Sequence, residues 1–267
     1  MRFTVCGHTG KGPRHEENED VILLNHGIVV SGTAEWRIGP DDAQIGLLVA
    51  VADGMGSHAV GGMAARIMLK QLEESFSQQA ENADIRMLVN VLYSAAKEAN
   101  RAVLEYAEKN PEFAGMGCTL AGVILLGNEY VAFNAGDSRV YRYSQGVLRQ
   151  LTDDDTLVAM AVRKGRMTPA EAKASSGRHY VTNATGSRSF RLHVGECLIL
   201  DEGDSLLLCS DGLHGVVRLS RMERLLTAVS GAAERCTALA QAAEVRGGYD
   251  DLSVVIINVE PAEDTEA

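Results

Sequence analysis

The sequence predicts one α/β or α+β domain in which mainly antiparallel sheets are covered by helices. The chain has 267 residues, enough for one such domain. Short runs rich in valine, leucine and isoleucine end at Gly, Asn or Asp, as strands do. The links at 127–128 and 144–146 have the length of hairpin turns, which favours antiparallel pairing over a doubly wound nucleotide-binding fold.

Strands and helices follow from apolar periodicity along the chain. The second expected helix presents one apolar face, formed by Met87, Val91, Ala95, Ala99 and Val103. Strands are expected near residues 2–6, 20–30, 45–52, 118–126, 129–135, 138–143, 193–200, 204–210 and 252–259, and helices near 59–80, 84–109 and 219–245.

Two segments stand outside this pattern. Residues 31–44 include the only tryptophan, Trp36, and are interpreted as a surface excursion between strands. Residues 152–190 are polar and charged, and a helix start is expected at Thr168-Pro169, because Thr caps a helix and Pro suits its first position. A polar segment of that length inside a compact domain usually serves a site, so we interpret it as a flap.

Composition excludes several classes of protein. The net charge of −11 and the pI of about 5.1 disfavour nucleic acid and anionic membranes as partners. No signal-peptide pattern opens the chain, and no apolar run approaches the roughly 20 residues of a membrane span. We therefore expect a cytoplasmic protein, monomeric because no apolar stripe favours an oligomer. A single domain is expected over 1–260, with an acidic, disordered tail at 261–267.

The five cysteines are read as reduced core residues. Their number is odd, no C-x-x-C spacing occurs, and most lie in apolar runs. A disulfide framework and a zinc site are therefore not expected.

Aspartates follow or open several of the apolar runs. Asp53 and Asp211 each precede a glycine after such a run, Asp137 follows a third, and Asp250 opens the last. A single Asp-Gly pair is most often a hairpin turn. Several such aspartates are harder to explain as turns, because an ordinary turn gains nothing from buried carboxylates that repel one another. Since hard divalent cations prefer oxygen ligands, the set predicts a Mg²⁺ or Mn²⁺ site.

The N-terminal segment 12–20 concentrates charge immediately before a strand. Such a run is a solvated loop in most proteins, so its meaning depends on the aspartates. Arg14 offers a planar fork for two phosphoryl oxygens, while Glu19 and Asp20 can accept hydrogen bonds from waters on a metal. Together with the aspartates, this segment points to phosphate and metal.

The chain resembles the metal-dependent protein phosphatases (PPM, type 2C) over nearly its whole length. Met55 and the stretches 151–156 and 165–172 are similar to the bacterial branch. Six ordered motifs carry the resemblance: Arg14-x-x-x-Asn18-Glu19-Asp20, Val51-Ala52-Asp53-Gly54-Met55-Gly56, Gly117-Cys118-Thr119, Ala135-Gly136-Asp137-Ser138-Arg139, Leu208-Cys209-Ser210-Asp211-Gly212-Leu213 and Asp250-Asp251-Leu252-Ser253.

The resemblance implies an α+β fold, a four-layer α-β-β-α sandwich with two central antiparallel sheets flanked by helices. It also implies two Mg²⁺ or Mn²⁺ ions at one end. At the matching positions, Asp53 would bridge the two metals and the Gly54 carbonyl would bind the second. Asp211 and Asp250 would complete the first.

Further roles follow from the same resemblance. Asp20 and Glu19 would act mainly through metal-bound water, and Asp137 with Asp211 would form a weaker third metal site. Arg14 would hold the substrate phosphate. His58 is the candidate general acid, since a serine or threonine alkoxide is a poor leaving group.

The implied function is metal-dependent hydrolysis of phosphoserine and phosphothreonine in proteins by a metal-activated water. The expected partners are phosphorylated proteins, namely a bacterial Ser/Thr kinase and its substrates. Two alternatives stay open: a non-catalytic regulator that binds phosphoproteins, and a phosphatase of a stress-type or sporulation-type regulator.

Two departures from the family pattern stand out. Asp251 occupies a place usually held by asparagine, and its added negative charge is expected to tighten metal binding or alter metal preference. The flap stretch 174–180 differs from the histidine-proline stretch of bacterial members, which bears on substrate choice.

Overall fold

The computed structural model describes residues 1–25, 27–39, 42–56, 60–78 and 83–260. Within these ranges, two six-stranded sheets lie face to face and helices cover both outer faces. The expected α+β, four-layer sandwich is confirmed.

The strands pair antiparallel throughout the described residues. The first sheet has the order β11-β10-β13-β14-β1-β4, the second β12-β9-β8-β5-β2-β3, and β6 pairs with β7. Their bounds are β1 Arg2–Gly10, β2 Val21–Leu24, β3 Gly27–Val29, β4 Gly32–Ile38, β5 Leu47–Ala52, β6 Gly54–Met55, β7 Gly117–Cys118, β8 Leu120–Leu126, β9 Glu129–Ala135, β10 Arg139–Ser144, β11 Val147–Gln150, β12 His193–Ile199, β13 Ser205–Cys209 and β14 Leu252–Glu260.

Seven α-helices accompany these strands in the described ranges. Two of them lie in the flap, and Thr168 caps the second through a capping box with Glu171, as the sequence predicts. The bounds are α1 Gly61–Ser77, α2 Ile85–Lys109, α3 Leu157–Arg163, α4 Pro169–Ala174, α5 Asp211–His214, α6 Leu219–Ala228 and α7 Ala232–Val245.

Strand β5 shows how one strand serves two cores. Leu47, Val49 and Val51 pack between the sheets, whereas Leu48 and Ala50 pack beneath α1 and α2. Successive side chains of a strand point to opposite faces, so a continuous apolar run suits a strand that is buried on both sides. A third apolar cluster lies between the first sheet and α6 and α7.

The interpretation of residues 31–44 as a surface excursion between strands is wrong for half of that segment. Residues 32–38 form β4, an edge strand that pairs with β1 and sets Trp36 opposite Val5. Its side chains alternate between partly buried and exposed, which is the pattern of a half-buried edge.

The single helix expected at 219–245 is two helices. The chain is extended at Val229, and α7 begins after Gly231. Arg235 stabilises the break, because its Nε donates to the carbonyl oxygens of Leu226 and Val229 at the end of α6.

Two expectations from composition can be compared with the described residues. No helix there combines the length and the apolar character that a membrane crossing requires. The cysteines are free thiols, buried at Cys6, Cys118, Cys209 and Cys236 and exposed at Cys197.

Candidate metal centre

In the second sheet, the candidate residues lie where two neighbouring strands begin and end. Val21 pairs with Ala52, so the start of β2 lies beside the end of β5. The next residue outward on each strand is an aspartate, Asp20 on one and Asp53 on the other. Asp53 is anchored through its backbone carbonyl, which accepts a hydrogen bond of 2.8 Å from the Thr119 amide.

The first sheet brings three more aspartates to this end of the sandwich. Cys209, the last residue of β13, pairs with Arg139 at the start of β10 and with Val254 near the start of β14. Antiparallel pairing therefore collects residues that are far apart in sequence: Asp137, Asp211 and Asp250.

The carboxylates raise one another's pKa. Burial is the largest cause, and neighbouring carboxylates add to it. The pKa of Asp20 is raised to about 8, that of Asp137 to about 7 and that of Asp211 to about 6. Burial raises the pKa of Asp53 well above its ordinary value, with Asp20 the largest electrostatic contributor. The carboxylates retain protons because their negative charges repel one another in a buried place. A bound cation relieves the same repulsion, so the cluster favours a cation.

Asp20 has one carboxylate oxygen left over. Its Oδ2 accepts a hydrogen bond of 2.7 Å from the Ser210 hydroxyl. Its Oδ1 is buried and meets no hydrogen-bond donor among the described residues. Because a buried unpaired oxygen is costly, a cation or a water is its expected partner.

The donor set suits Mg²⁺ or Mn²⁺. It consists of carboxylate oxygens, together with the Gly54 carbonyl as a candidate, and such oxygens are the preferred ligands of these ions. Among the described residues, no three His, Cys, Asp or Glu side chains converge on one point. Mg²⁺ commonly takes one or two carboxylates and keeps several waters, so a space lined by carboxylates also fits such ions.

We expect the metal-free protein to become less stable as the pH rises from about 4 to about 8. Asp20 and Asp211 hold protons in the folded state up to pH values of about 8 and about 6, whereas the unfolded chain has released them above pH 4 or so. Between these values the folded state binds more protons than the unfolded chain, so the free energy of unfolding falls as the pH rises and levels off once the folded carboxyls have ionised.

Thermal unfolding in EDTA across this window checks the sign. Asp20→Asn should flatten the slope, and added Mn²⁺ should raise the unfolding temperature more at pH 8 than at pH 6. An equal slope in wild type and Asp20→Asn would contradict the prediction.

Asp251 faces the N-terminal segment, and its negative charge also acts on the cluster, where it contributes to the raised pKa of Asp20 and of Glu19. Its Oδ1 accepts a hydrogen bond of 2.7 Å from the Gly12 amide, and its Oδ2 one of 2.7 Å from the Glu19 amide. His15 Nδ1 lies 2.9 Å from the same Oδ2, and this contact is the largest cause that raises the His15 pKa. The side chain is 3% exposed. Asp251 therefore holds segment 12–19 against the start of β14.

The close approach of segment 12–19 to the start of β14 requires a glycine at position 12. A Cβ at this position would lie 2.3 Å from the carbonyl carbon and oxygen of Asp250. No side chain fits between the two backbones, so only glycine lets the segment approach this closely.

Arg14 projects from this segment onto an aromatic ring. Its guanidinium carbon lies 4.3 Å from the centroid of the Tyr249 ring, a cation–π distance. Tyr249 directly precedes Asp250, so the arginine is held at the edge of the carboxylate cluster.

Glu19 meets the start of a helix. The Gly61 amide, at the first position of α1, donates to its carboxylate. Burial still raises the pKa of Glu19, because the amide bond only partly offsets the loss of water. The helix N-terminus favours the ionised form, so this carboxylate caps α1 from a distant part of the chain.

The flap is joined to the loop that carries Asp137. Arg139 makes a two-pronged ion pair with Asp154, at 2.8 and 2.5 Å. Asp155 Oδ2 accepts from the Gly136 amide at 3.2 Å and from Asn183 Nδ2 at 2.7 Å. Both ends of residues 152–190 are thereby tied to the strand end that presents Asp137.

Two histidines bear on the site, and only one of them lies within the described residues. His58, the candidate general acid, lies outside the described residues. His214 is a residue that sequence reasoning missed: its Nε2 donates to the Asp137 carbonyl at 2.9 Å. Burial lowers its pKa to about 3, so it stays neutral and positions the Asp137 backbone.

Other residues of the site were also missed from sequence, although two lie inside the quoted motifs. Ser210 directly precedes Asp211 and holds Asp20. The Ser253 amide donates to the Ser210 hydroxyl at 2.9 Å. Their place beside aspartates in the motifs could have signalled a role, whereas nothing local marks Tyr249.

The chain is similar to known phosphatases in sequence. A profile of the family described as protein phosphatase 2C matches residues 37–245. The serine/threonine phosphatase Stp of Listeria monocytogenes is 30% identical over 211 residues, which cover 79% of this chain and 83% of that protein.

Solved structures agree with the sequence comparison. The serine/threonine phosphatase of S. agalactiae is 26% identical, with a TM-score of 0.83, over 97% of this chain and 100% of that one. The catalytic domain of the phosphatase PstP, solved with two manganese ions, is 28% identical, with a TM-score of 0.79, over 98% of this chain and 100% of that one.

Proposed function

The chain belongs to the protein phosphatase 2C family and is a metal-dependent serine/threonine protein phosphatase, and on that premise we propose which of its residues carry out the hydrolysis. The observation that carries the proposal is the set of aspartates with raised pKa at one end of the sandwich, beside the unpaired Oδ1 of Asp20.

The aspartates hold two divalent cations, Mg²⁺ or Mn²⁺. Asp53 would serve both cations, the Gly54 carbonyl would bind one, and Asp211 and Asp250 would hold the other, directly or through bound water. Asp137 with Asp211 supplies a weaker third site. When bound, the cations lower the pKa of a water and offset negative charge on the phosphoryl oxygens.

Residues around the ligands orient water and substrate. Asp20 and Glu19 accept hydrogen bonds from water at the centre, and Ser210 keeps the Asp20 carboxylate in place. Arg14 binds two phosphoryl oxygens, while its stacking on Tyr249 limits the positions that it can take.

A water attacks phosphorus in line, and no covalent phosphoenzyme forms. His58 supplies a proton to the departing serine or threonine oxygen, a step that a positioned acid can accelerate by about 10²-fold or more.

The physiological setting is also part of the proposal. The substrates are phosphorylated proteins of a bacterial Ser/Thr kinase, and the enzyme acts in the cytoplasm as a monomer. One domain spans residues 1–260, and its flap, 152–190, selects the substrate. A complete carboxylate set favours this enzyme over a non-catalytic regulator, because a binder needs no such set.

Metal dependence and a phosphopeptide panel test the proposed function together. We expect no hydrolysis in EDTA, turnover in Mn²⁺ or Mg²⁺, and release of phosphate from phosphoserine and phosphothreonine peptides. Phosphopeptide binding in EDTA without turnover in either metal would favour the regulator.

Arg14→Ala should raise KM for phosphopeptides by about 10- to 100-fold, because two charge-assisted hydrogen bonds to phosphate are lost. Tyr249→Phe keeps the ring and should stay near wild type, whereas Tyr249→Ala should raise KM with little change in kcat. Equal kinetics for Tyr249→Phe and Tyr249→Ala would show that stacking does not position Arg14.

A further inference from the structure

Helices α6 and α7 form an open groove of about 490 Å³ on the outside of the first sheet. Its floor is apolar, with Leu225 and Ala242 among its lining residues. Three of its lining residues are arginines: Arg221, Arg224 and Arg246.

The charge of this groove is opposite to that of the whole protein. The chain carries a net charge of −11, yet no Asp or Glu lines the groove. In the part of the chain that the structure describes, the ion pairs do not include Arg221, Arg224 or Arg246. The Arg224 Nε donates to the Ser220 carbonyl oxygen at 3.2 Å, which leaves its charge without a carboxylate partner, so three cations can act on an acidic partner.

Both helices of the groove are close in sequence to residues of the metal centre. Helix α6 begins at Leu219, eight residues after Asp211, and α7 ends at Val245, five residues before Asp250. Arg246 is three residues from Tyr249, so their Cα atoms are separated by at most about 10 Å.

The same short connection brings the groove near the phosphate arginine, because Tyr249 stacks on Arg14. Positive charge therefore continues from the residue proposed to hold the phosphate toward α6 and α7. A substrate segment bound at Arg14 needs only a few extended residues, at roughly 3.3 Å each, to reach Arg246.

We propose that this groove binds aspartate and glutamate side chains that flank the phosphorylated serine or threonine of a protein substrate. The inference rests on the proposed function and specifies its substrate class. Arginine forks pair with carboxylates, and the apolar floor takes the aliphatic parts of the same peptide. Arg221, Arg224 and Arg246 act on substrate choice, not on the chemical step.

The test compares two double variants with the same change in charge. Arg221→Glu/Arg224→Glu reverses the charge of the groove. Glutamate complements the helix dipole at 221, in the first turn of α6, and at 224 it is a good helix former. Lys97→Glu/Arg101→Glu makes the same change on the exposed side of α2, outside the groove. Arg246→Ala is a third variant that leaves both helices intact.

Three substrates separate the possible causes: a phosphothreonine peptide with glutamate flanks, the same peptide with glutamine flanks, and para-nitrophenyl phosphate. Glutamates before the phosphothreonine and glutamates after it are tested in separate peptides. We expect wild type to have a higher kcat/KM for a glutamate peptide than for its glutamine counterpart. Reversal of the groove should lower kcat/KM for this peptide by about 10-fold and leave the other two substrates unchanged. About 0.5 M NaCl should abolish the preference.

Three results would overturn the proposal. The first is no preference of the wild type for either glutamate peptide, and the second is an equal loss in the α2 control. The third is an equal loss on both peptides. Absence of para-nitrophenyl phosphate turnover by wild type in Mn²⁺ would count against the proposed function instead, so the two failures are distinguishable.

Discussion

Asp53→Asn is expected to lower kcat for an aryl phosphate in Mn²⁺ by about 10³-fold or more, which corresponds to several kcal/mol of transition-state stabilisation. Asparagine keeps the shape of the side chain but removes the negative charge proposed to hold two cations together. Asp53 also lies where carboxylates from both sheets act on one another.

The same substitution should not destabilise the fold. Burial and four neighbouring aspartates raise the pKa of Asp53, so its ionised form is unfavourable in the metal-free protein. Asparagine carries no charge, and the metal-free variant should unfold at or above the temperature of the wild type near pH 8. Loss of activity together with retained stability would separate a missing ligand from a misfolded protein.

Asp153→Asn is the matched control, since Asp153 is exposed and near the same end of the fold. It should retain wild-type turnover and wild-type Mn²⁺ dependence. Turnover of Asp53→Asn within a few-fold of wild type would exclude Asp53 as the bridge.

Local pattern was sufficient for the elements that determine the fold. The apolar run of β5 and the turn after it predict a buried strand that ends at Asp53. Polar and apolar residues also alternate along β4, but the position of this segment between two predicted strands favours a surface excursion. The break between α6 and α7 was hidden because apolar spacing continues on both sides of Ser230 and Gly231.

Contacts between distant segments could not be read from local pattern. Asp251 joins Gly12 and Glu19 across more than two hundred residues, and no periodicity relates them. The stacking of Arg14 on Tyr249 depends on the same docking of two chain ends. The resemblance in sequence predicts the carboxylates. The residues that hold their neighbours in place can be identified only from the structure.

Asp251→Ala is expected to lower the free energy of unfolding by roughly 2–4 kcal/mol. Two buried backbone amides, those of Gly12 and Glu19, would lose a charged acceptor, and each such hydrogen bond contributes about 1.5–3 kcal/mol. For a chain of this size the melting temperature should fall by about 5–10 °C. Asp251→Asn, which restores one acceptor oxygen but not the second, should fall between Ala and wild type.

The neighbouring substitution Asp250→Asn supplies the contrast. The Asp250 side chain is about half exposed, so its loss should change the melting temperature little while raising the Mn²⁺ concentration needed for half-maximal activity. Asp251→Asn should lower the melting temperature and change the Mn²⁺ concentration for half-maximal activity little. It should also return the His15 pKa toward its ordinary value, a shift that NMR titration of the imidazole can follow.

The His15 contact gives this prediction a pH dependence with a fixed sign. Because Asp251 raises the folded-state pKa of His15, the stabilisation from this pair is fully present below the ordinary histidine pKa of about 6.5 and is lost as the pH rises through the raised value. The difference in stability between wild type and Asp251→Asn should therefore narrow as the pH rises. If Asp251→Asn instead changed the Mn²⁺ requirement at an unaltered melting temperature, then Asp251 would act on the metals, and segment 12–19 with Arg14 would depend on other contacts for its position.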